Sequence, residues 1–325
     1  MNLDKTLKCI NKHSRFLITS HLNLEGDALG SELAFCHLLK KMGKSAFIIN
    51  DDPVPNNYLF LSGSEKIINY DTAKKKSLNF DCFAILDCSD LKRCGRVQEM
   101  NIKNKVVLNI DHHISNQRFG DFNLVDANAS SCSEIIYRIY KKTGVPLDKS
   151  AALYLYVGIL TDTGSFRYSN TTAFVHKAAS DLLKYNIDVP DIYRKIYQDI
   201  PIDEIRLLNK VLPKIKITAN GRLAWIQLDR DVLRKHKNTY FDLTEYILSF
   251  ARAIKDVEVC VLFKNNFEDK NEIRVNFRSQ GHLDVNAIAS FYGGGGHKTA
   301  SGCSIIGEIN QVRNRVLHRI KSLLK

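Results

Sequence analysis

The chain of 325 residues lacks several features that would assign it to a specialised class of protein. Its eight cysteines include no Cys-x-x-Cys pair, the spacing that favours a zinc ribbon or a thioredoxin-like redox site. No apolar run approaches the ~20 residues that a membrane-spanning helix needs. Residues 3–10 are too short and too charged for a secretory signal peptide. We therefore expect a cytoplasmic protein with no membrane association, in which the cysteines are small buried side chains.

Acidic residues are outnumbered by basic ones, 35 to 47, which gives a formal net charge of +12. This excess favours an acidic ligand, with phosphate-bearing molecules first, although a lysine-rich proteome would explain the charge equally well. The sequence contains no low-complexity segment, appended OB-fold or long basic tail. We therefore expect no stable complex with a long nucleic acid, and the sequence is compatible with a homodimer.

Apolar runs alternate with helical patterns in the first half of the chain, which is typical of an α/β fold with a doubly wound, mainly parallel sheet. Buried strands are predicted at 15–20, 46–50, 83–86 and 106–110, and helices at 28–42, 130–142 and 150–161.

The second half has a different pattern of predicted elements. Strands are predicted at 223–228, 257–263 and 272–277, and helices at 244–253 and 285–291. These elements indicate a smaller α/β domain with a mixed sheet. We predict a catalytic domain over residues 1–186, a helical connector with three prolines over 187–213, and a substrate-binding domain over 214–325.

Acidic and histidine side chains follow the apolar runs of the first half, where a parallel sheet gathers its functional loops. Carboxylate and imidazole ligands together favour a pair of divalent cations, with Mn²⁺ ahead of Mg²⁺. Asp87 is the natural bridge between the ions, Asp111 would orient a histidine, and His113 would meet the substrate phosphate. Taken singly, each of these residues is also typical of a polar turn or a helix N-cap. The predicted metal ligands are His21, Glu25, Asp27, Asp87, His112 and Asp162, and the predicted catalytic residues are His113, Asp111 and Asp87.

Four consecutive glycines and a histidine near the C-terminus form a second candidate site. This turn lacks the Gly-Lys-Ser/Thr of a Walker loop, but glycines let backbone N–H groups approach a phosphate or ribose closely. Arg278-Ser279 ends a predicted strand, and arginine binds phosphate in bidentate fashion. A flexible glycine turn with a surface arginine would explain the same residues. The predicted substrate-binding residues are Arg278, Ser279, Gly294, Gly295, Gly296 and His297.

Together these motifs resemble the DHH–DHHA1 phosphoesterases, in particular the stand-alone members that act as nanoRNases, pAp phosphatases or cyclic-dinucleotide phosphodiesterases. The resemblance covers almost the whole chain and rests on several motifs in the expected order. They are His21 to Ser31, Asp87-Cys88-Ser89-Asp90, Asp111 to Asn116, Thr161 to Tyr168, Phe277-Arg278-Ser279, Asp284-Val285-Asn286 and Gly294 to Lys298.

The resemblance implies how the two ions are divided between the ligands. His21, Glu25 and Asp87 would hold one Mn²⁺, and Asp27, Asp87, His112 and Asp162 the other. His113 would contact the scissile phosphate. Arg278, Ser279 and His297, with the glycine loop beside them, would bind the phosphate or sugar of the other nucleotide.

The first motif departs from the family pattern, which usually reads His-x-x-Pro-Asp-x-Asp. Here Leu24 and Glu25 replace the proline and the first aspartate. The longer side chain keeps the carboxylate but would shift the first ion, so an altered metal preference or rate is expected.

The leading functional hypothesis is metal-dependent hydrolysis of short oligonucleotides and dinucleotides such as pApA to nucleoside monophosphates, by a water that two metal ions activate. pAp, cyclic di-AMP and other adenine nucleotides fit the same site. The alternatives are a family-type inorganic pyrophosphatase and a catalytically weak nucleotide sensor.

Overall fold

A computed structural model of the chain describes residues 3–101, 104–228, 232, 243–265, 271–280 and 282–324. Backbone packing divides the chain into two compact units, Met1–Gln198 and Asp199–Lys325. Within these described ranges, no helix is both long and apolar enough to cross a bilayer.

The first unit is built on a six-stranded sheet in the order β3-β2-β1-β4-β5-β6, with every neighbouring pair parallel. Its strands are β1 Arg15–Thr19, β2 Ser45–Asn50, β3 Ile68–Asn69, β4 Cys82–Leu86, β5 Val106–Asp111 and β6 Phe122–Val125. Its helices are α1 Leu3–Lys12, α2 Gly26–Lys41, α3 Tyr70–Ala73, α4 Cys132–Thr143, α5 Lys149–Asp162, α6 Ala173–Leu183 and α7 Val189–Tyr197.

The central strands are apolar because both faces of the sheet are covered. Every residue of β4 is buried, which explains why its sequence is a continuous apolar run and not an alternating one. The predicted α/β class and parallel sheet are confirmed. The short edge strands β3 and β6 were missed, because β3 has only two residues and β6 only four, too few for a periodic signal.

Helices α2 and α5 lie unusually close together because glycines line their contact. A Cβ atom on Gly30 would lie 2.5 Å from the carbonyl oxygen of Tyr154. A Cβ atom on Gly158 would lie 2.6 Å from Ser133 Cβ and 2.7 Å from Asp27 Oδ1. The absent side chains therefore allow α5 to approach α2 and α4 at backbone distance, which places the C-terminal end of α5 beside the N-terminal end of α2.

The second unit contains a mixed six-stranded sheet in the order β11-β12-β10-β9-β8-β7. Strands β8 and β9 are parallel and the other neighbours antiparallel, as the predicted mixed sheet requires. Its strands are β7 Lys216–Thr218, β8 Leu223–Leu228, β9 Val259–Asn265, β10 Glu272–Ser279, β11 Gly295–His297 and β12 Ala300–Ile306. Its helices are α8 Ile202–Val211, α9 Leu243–Arg252, α10 Val285–Phe291 and α11 Ile309–Leu323.

The predicted connector, residues 187–213, contains α7 and α8. The division between the two compact units falls inside it, after Gln198. The two predicted boundaries, after residues 186 and 213, stay predictions.

Replacing Gly158 by alanine is expected to destabilise the first unit by roughly 1–3 kcal/mol, because overpacking forces neighbouring atoms to move. Urea unfolding followed by circular dichroism would measure this change in the free energy of unfolding. Gly302→Ala is the matched control, since its new Cβ would meet no atom closer than 3.4 Å. Equal destabilisation by the two substitutions would contradict the account of helix packing.

Candidate metal centre

Asp87 is the residue around which the candidate centre is arranged. It directly follows β4, its backbone has φ 51°, and its side chain is 1% exposed. Its backbone N–H donates to the Ile110 carbonyl at 2.9 Å. The left-handed backbone conformation, which is uncommon for a residue other than glycine, is a strained feature of the kind that clusters at functional sites.

Two groups of predicted ligands flank the Asp87 carboxylate. On one side, His21 Nε2 lies 3.4 Å from Asp87 Oδ2 and 3.8 Å from Glu25 Oε1. On the other, His112 Nε2 lies 3.3 Å from Asp87 Oδ1 and 3.2 Å from Asp162 Oδ2. Asp27 Oδ2 is 3.8 Å from the same nitrogen.

All six predicted metal ligands are therefore brought together, with Asp87 between the two groups. Within each group the ligand atoms lie within 4.8 Å of one another. The Glu25 side chain is 57% exposed, whereas those of its neighbours His21 and Asp87 are buried. Glu25 is thus the predicted ligand most open to solvent.

Backbone carbonyls orient the two histidines that face Asp87. His21 Nδ1 lies 2.6 Å from the Leu22 carbonyl, and His112 Nδ1 lies 3.4 Å from the Ala129 carbonyl. A carbonyl can only accept, so each Nδ1 carries the proton and donates it. This tautomer leaves the lone pair on Nε2, the nitrogen that a metal ligand needs.

The N-terminal end of α4 holds Asp27 in place. The backbone N–H groups of Cys132 and Ser133 donate to its two carboxylate oxygens at 2.6 and 2.8 Å. Even so, burial and the nearby charge of Asp87 raise the pKa of Asp27 to about 7. An added positive charge is needed to keep this carboxylate ionised.

Burial and neighbouring charges also shift the pKa values of other side chains in the centre. Burial raises the pKa of Asp162 well above its usual value. Burial by itself would lower the pKa of His112, but the charge of Asp162, followed by the hydrogen bond and charge of Asp87, raises it far above its ordinary range. Without a cation, the centre must therefore take up protons to limit repulsion between its carboxylates.

Two oxygens in the centre have no ordinary hydrogen-bonding partner. Among the residues the structure describes, Asp87 Oδ1 and Asp162 Oδ2 are buried, and the shared neighbour of both is His112 Nε2, at 3.3 and 3.2 Å, in poor hydrogen-bond geometry. Buried oxygens of this kind are costly unless hydrogen bonds or cations satisfy them. The donor set, oxygens with imidazole nitrogens, therefore fits divalent cations such as Mn²⁺ or Mg²⁺.

Asp111 contacts His113, as the sequence suggested, but a second partner was missed. Asp111 Oδ1 accepts from His113 Nδ1 at 2.7 Å, and Asn116 Nδ2 donates to Asp111 Oδ2 at 2.6 Å. Burial alone would raise the pKa of Asp111, but the charge and hydrogen bond of His113 lower it to about 2. Asn116 lies three residues beyond His113 in the same motif. Its hydrogen bond holds the Asp111 carboxylate in place, and that carboxylate in turn orients His113.

The loop after Asp162 has an unusual backbone. Gly164, Ser165 and Phe166 all have positive φ, between 55° and 63°. Thr163 ends the helix with its hydroxyl bonded back to the Ile159 carbonyl at 2.6 Å. No sequence pattern indicated this conformation, because serine and phenylalanine rarely adopt it.

Glu32 is another buried acid beside the centre, and sequence reasoning missed it. Asn50 Nδ2 donates to Glu32 Oε2 at 2.9 Å, and the same asparagine accepts from Thr19 Oγ1 at 3.2 Å. Burial raises the pKa of Glu32 to about 8. This pair ties α2 to the ends of β1 and β2, next to His21.

In the second unit, the predicted substrate residues gather at the start of β12. Arg278 of β10 and His297 of β11 are both in register with Ala300, and the Ser279 N–H donates to the Thr299 carbonyl at 2.8 Å. Arg278 Nη2 is paired with Glu245 Oε2 at 2.5 Å. Sequence reasoning missed Glu245, which lies far from Arg278 along the chain.

The glycine segment is partly a strand, and not simply the turn that was predicted. Gly295 and Gly296 belong to β11 and pair with β12. A Cβ on Gly294 would lie 2.5 Å from Cys303 Cβ, and one on Gly296 would lie 2.6 Å from the Ala300 carbonyl. Tight packing of the hairpin therefore requires glycine at these two positions, whatever ligand the segment binds.

Comparison with known proteins gives a consistent assignment. The DHH family, N-terminal domain, matches residues 15–159, and the DHHA1 domain matches residues 236–325. A Streptococcus mutans protein named probable bifunctional oligoribonuclease and PAP phosphatase NrnA is 30% identical over 322 residues, which cover 97% of each chain. This chain belongs to the DHH family. The resemblance read from its motifs is confirmed.

Other DHH-family relatives align with nearly the whole chain. The Thermus thermophilus protein named bifunctional oligoribonuclease and PAP phosphatase NrnA is 29% identical over 308 residues, covering 94% of this chain and 89% of its own. The crystal structure of an exopolyphosphatase-related protein from Bacteroides fragilis is 28% identical and superposes with a TM-score of 0.87. It covers 99% of this chain and 97% of its own.

The raised pKa of Glu32 predicts how the stability of this DHH-family chain changes with pH. Since its pKa is raised from 4.5 to about 8 on folding, its contribution to stability is fully present below pH 4.5 and is lost as the pH rises through about 8. Glu32→Gln removes this titration, so the free energy of unfolding should fall less steeply with pH over this range. The two slopes should differ by at most about 1.4 kcal/mol per pH unit. Urea unfolding of metal-free protein at several pH values would measure the slope.

The substitution is also expected to fold, because the glutamine amide can still accept from Asn50. Its NH₂ group can donate to Ser20 Oγ, the buried hydroxyl beside the Glu32 carboxyl. Glu65→Gln, at an exposed position, is the control and should leave the slope unchanged. A Glu32→Gln slope equal to that of the wild type would show that Glu32 is ionised in the folded protein.

Proposed function

We propose that this chain is a metal-dependent phosphodiesterase that hydrolyses short oligoribonucleotides and dinucleotides such as pApA to nucleoside monophosphates. We further propose that it removes a phosphate from pAp. The observation that carries the proposal is the buried carboxylate–imidazole centre around Asp87, in which two groups of ligand-type atoms each lie within 4.8 Å of one another. The names of the Streptococcus mutans and Thermus thermophilus relatives support this choice of substrates.

Two divalent cations, with Mn²⁺ preferred over Mg²⁺, would be held by the two ligand groups that share Asp87. His21 and Glu25 belong to the first group, and Asp27, His112 and Asp162 to the second. When bound, such a pair supplies a nucleophile by lowering the pKa of water and offsets negative charge on the phosphoryl group.

The side chains around the centre have distinct tasks in this proposal. The hydrogen bond of His113 Nδ1 to Asp111 makes Nε2 the nitrogen that meets the scissile phosphate or protonates the leaving group. Asn116 keeps Asp111 from turning away, so the ring of His113 stays in one orientation. Orientation of this kind matters because small displacements of a reacting group cost large factors in rate.

The second unit would bind the rest of the substrate. Arg278 and His297 would contact the phosphate or sugar of the other nucleotide, and Ser279 would add a hydroxyl. The backbone of Gly294 to Gly296 would lie against the same group, since no side chain prevents its approach. The same residues would accept one half of cyclic di-AMP, which we include as a further candidate substrate.

Asp87→Asn is expected to lower turnover of pApA and of a short RNA by about 10³-fold, because loss of the bridging charge removes several kcal/mol of stabilisation. Asparagine keeps the shape of the side chain and tolerates the left-handed backbone conformation. Release of mononucleotides from pApA, a pentanucleotide RNA, pAp, cyclic di-AMP and pyrophosphate, with Mn²⁺ added, would measure activity and rank the substrates.

Asp203→Asn is the matched control, since this aspartate is exposed on α8 and pairs only with Arg206 in the described contacts. It should retain full activity. Turnover of pyrophosphate alone would favour the pyrophosphatase alternative. Tight binding of a nucleotide without turnover of any substrate would leave a nucleotide sensor.

Glu25→Asp tests the departure in the first metal motif. The shorter side chain would restore the usual acid of the family, so we expect a changed ratio of Mn²⁺- to Mg²⁺-supported activity, with turnover within about tenfold of the wild type. Steady-state rates over a series of metal concentrations would show the change. An inactive wild type that becomes active on this substitution would contradict the proposed activity of the natural chain.

A further inference from the structure

A second group of metal-binding side chains lies at the opposite end of β4 from Asp87. Cys82 is the first residue of β4, whereas Asp87 follows its last, so the two are separated by roughly 16 Å of strand. The ligand atoms of Cys9, His13 and Cys82 lie within 4.8 Å of one another. This cysteine–histidine cluster has no part in the proposed hydrolysis.

The three side chains are enclosed by protein. Cys9 is 1% exposed, Cys82 is 0% exposed and His13 is 8% exposed. Because these side chains are buried, substrates could not reach an ion bound to them, and such an ion would act on the fold and not in a reaction.

Local structure positions Cys9 and His13 side by side. Cys9 lies in the last turn of α1 and His13 directly follows that helix, so a spacing of four residues places both on one face. The His13 N–H continues the helical pattern by donating to the Cys9 carbonyl at 3.3 Å.

Hydrogen bonds that need no ion join this segment to Cys82. The N–H groups of Ser14 and Arg15 donate to Asp81 Oδ1 at 3.2 and 2.9 Å. The Asp81 N–H in turn donates to the Arg15 carbonyl at 2.9 Å. Because Asp81 precedes Cys82, these hydrogen bonds hold the Cys82 thiol close to Cys9 and His13.

Cys9 Sγ and His13 Nδ1 are 3.7 Å apart, a distance that an ordinary hydrogen bond to sulfur also allows. Bonds of ~2.3 Å to sulfur and ~2.0 Å to nitrogen give a tetrahedral edge of roughly 3.5 Å, so these two atoms need to move little to share an ion. His13 Nδ1 also lies 2.8 Å from the Cys9 carbonyl, so binding an ion would require the ring to turn away from this carbonyl and to carry its proton on Nε2.

We propose that Cys9, His13 and Cys82 form a structural Zn²⁺ site, with a water molecule as the fourth ligand. Thiolate and imidazole select zinc over Mn²⁺ or Mg²⁺, which prefer the oxygen ligands around Asp87. On binding, each thiol gives its proton to solvent and His13 coordinates as the neutral imidazole. The ion would fasten α1 to the sheet.

Cobalt substitution distinguishes this site from the centre around Asp87. The full chain, prepared without a histidine tag and kept reduced, would be stripped of metal and titrated with Co²⁺ under argon. Sulfur-to-cobalt charge-transfer absorption arises only from thiolate ligands, and the Asp87 centre has no such ligand. We expect this absorption in the wild type, its displacement by Zn²⁺, and roughly one equivalent of tightly held zinc by mass spectrometry.

Cys9→Ser and Cys82→Ser should each abolish the absorption and the zinc retention. Cys36→Ser is the control, since this buried cysteine bonds to the Ala46 carbonyl at 3.6 Å and should change neither. A wild type that shows no charge-transfer absorption overturns the proposal even if a variant fails to fold. So does persistence of the absorption in both folded serine variants, or a Cys9–Cys82 disulfide in the isolated wild type.

Discussion

Concentrated negative charge at the carboxyl edge of the first sheet is the constraint on which the rest of the structure depends. Asp27, Asp87 and Asp162 each have an oxygen within 3.8 Å of His112 Nε2, Asp111 contacts the adjacent His113, and the four side chains are largely removed from solvent. Carboxylates in such surroundings repel strongly and lose hydration. The histidines, the backbone N–H groups at α4 and the cations that we propose all offset this negative charge.

The parallel sheet explains why the charge can be concentrated at all. Strands β1, β4 and β5 end at the same edge, so His21, Asp87 and His112 meet without any long loop. Helix α2 begins there and α5 ends there. The close glycine contact between those helices brings Asp27 and Asp162 to the same place, and the negative end of the α5 dipole adds to the need for a positive ion.

Much of this arrangement could be predicted from the sequence, for a definite physical reason. Buried parallel strands are continuous apolar runs, and an acid or histidine at the end of each run has to lie at the carboxyl edge. The bounds of β8 and α10 agree with the prediction to the residue, because turn residues flank both. The resemblance to DHH enzymes then supplied the roles of side chains that look ordinary one at a time.

The features that sequence reasoning missed depend on contacts between distant residues or on backbone strain. Glu32 and Glu245 look like ordinary polar residues until the partner elsewhere in the fold is known, and Asn116 does so until the conformation of its own motif is known. The left-handed backbones of Asp87 and Phe166 contradict local preference, so no propensity could indicate them. Helix α1 was read only as a segment unfit for a signal peptide. Its amphipathic face, which carries Cys9, acquires meaning once Cys82 is seen beside it.

The pairing of Arg278 with Glu245 has a consequence for turnover. An anion that arrives at this guanidinium meets a group whose charge is already balanced, and it must share the remaining N–H donors or displace the carboxylate. An anion would therefore bind more weakly here than at an unpaired arginine and would leave faster. In the function that we propose, this weaker binding would shorten the time for which a product nucleotide occupies the protein.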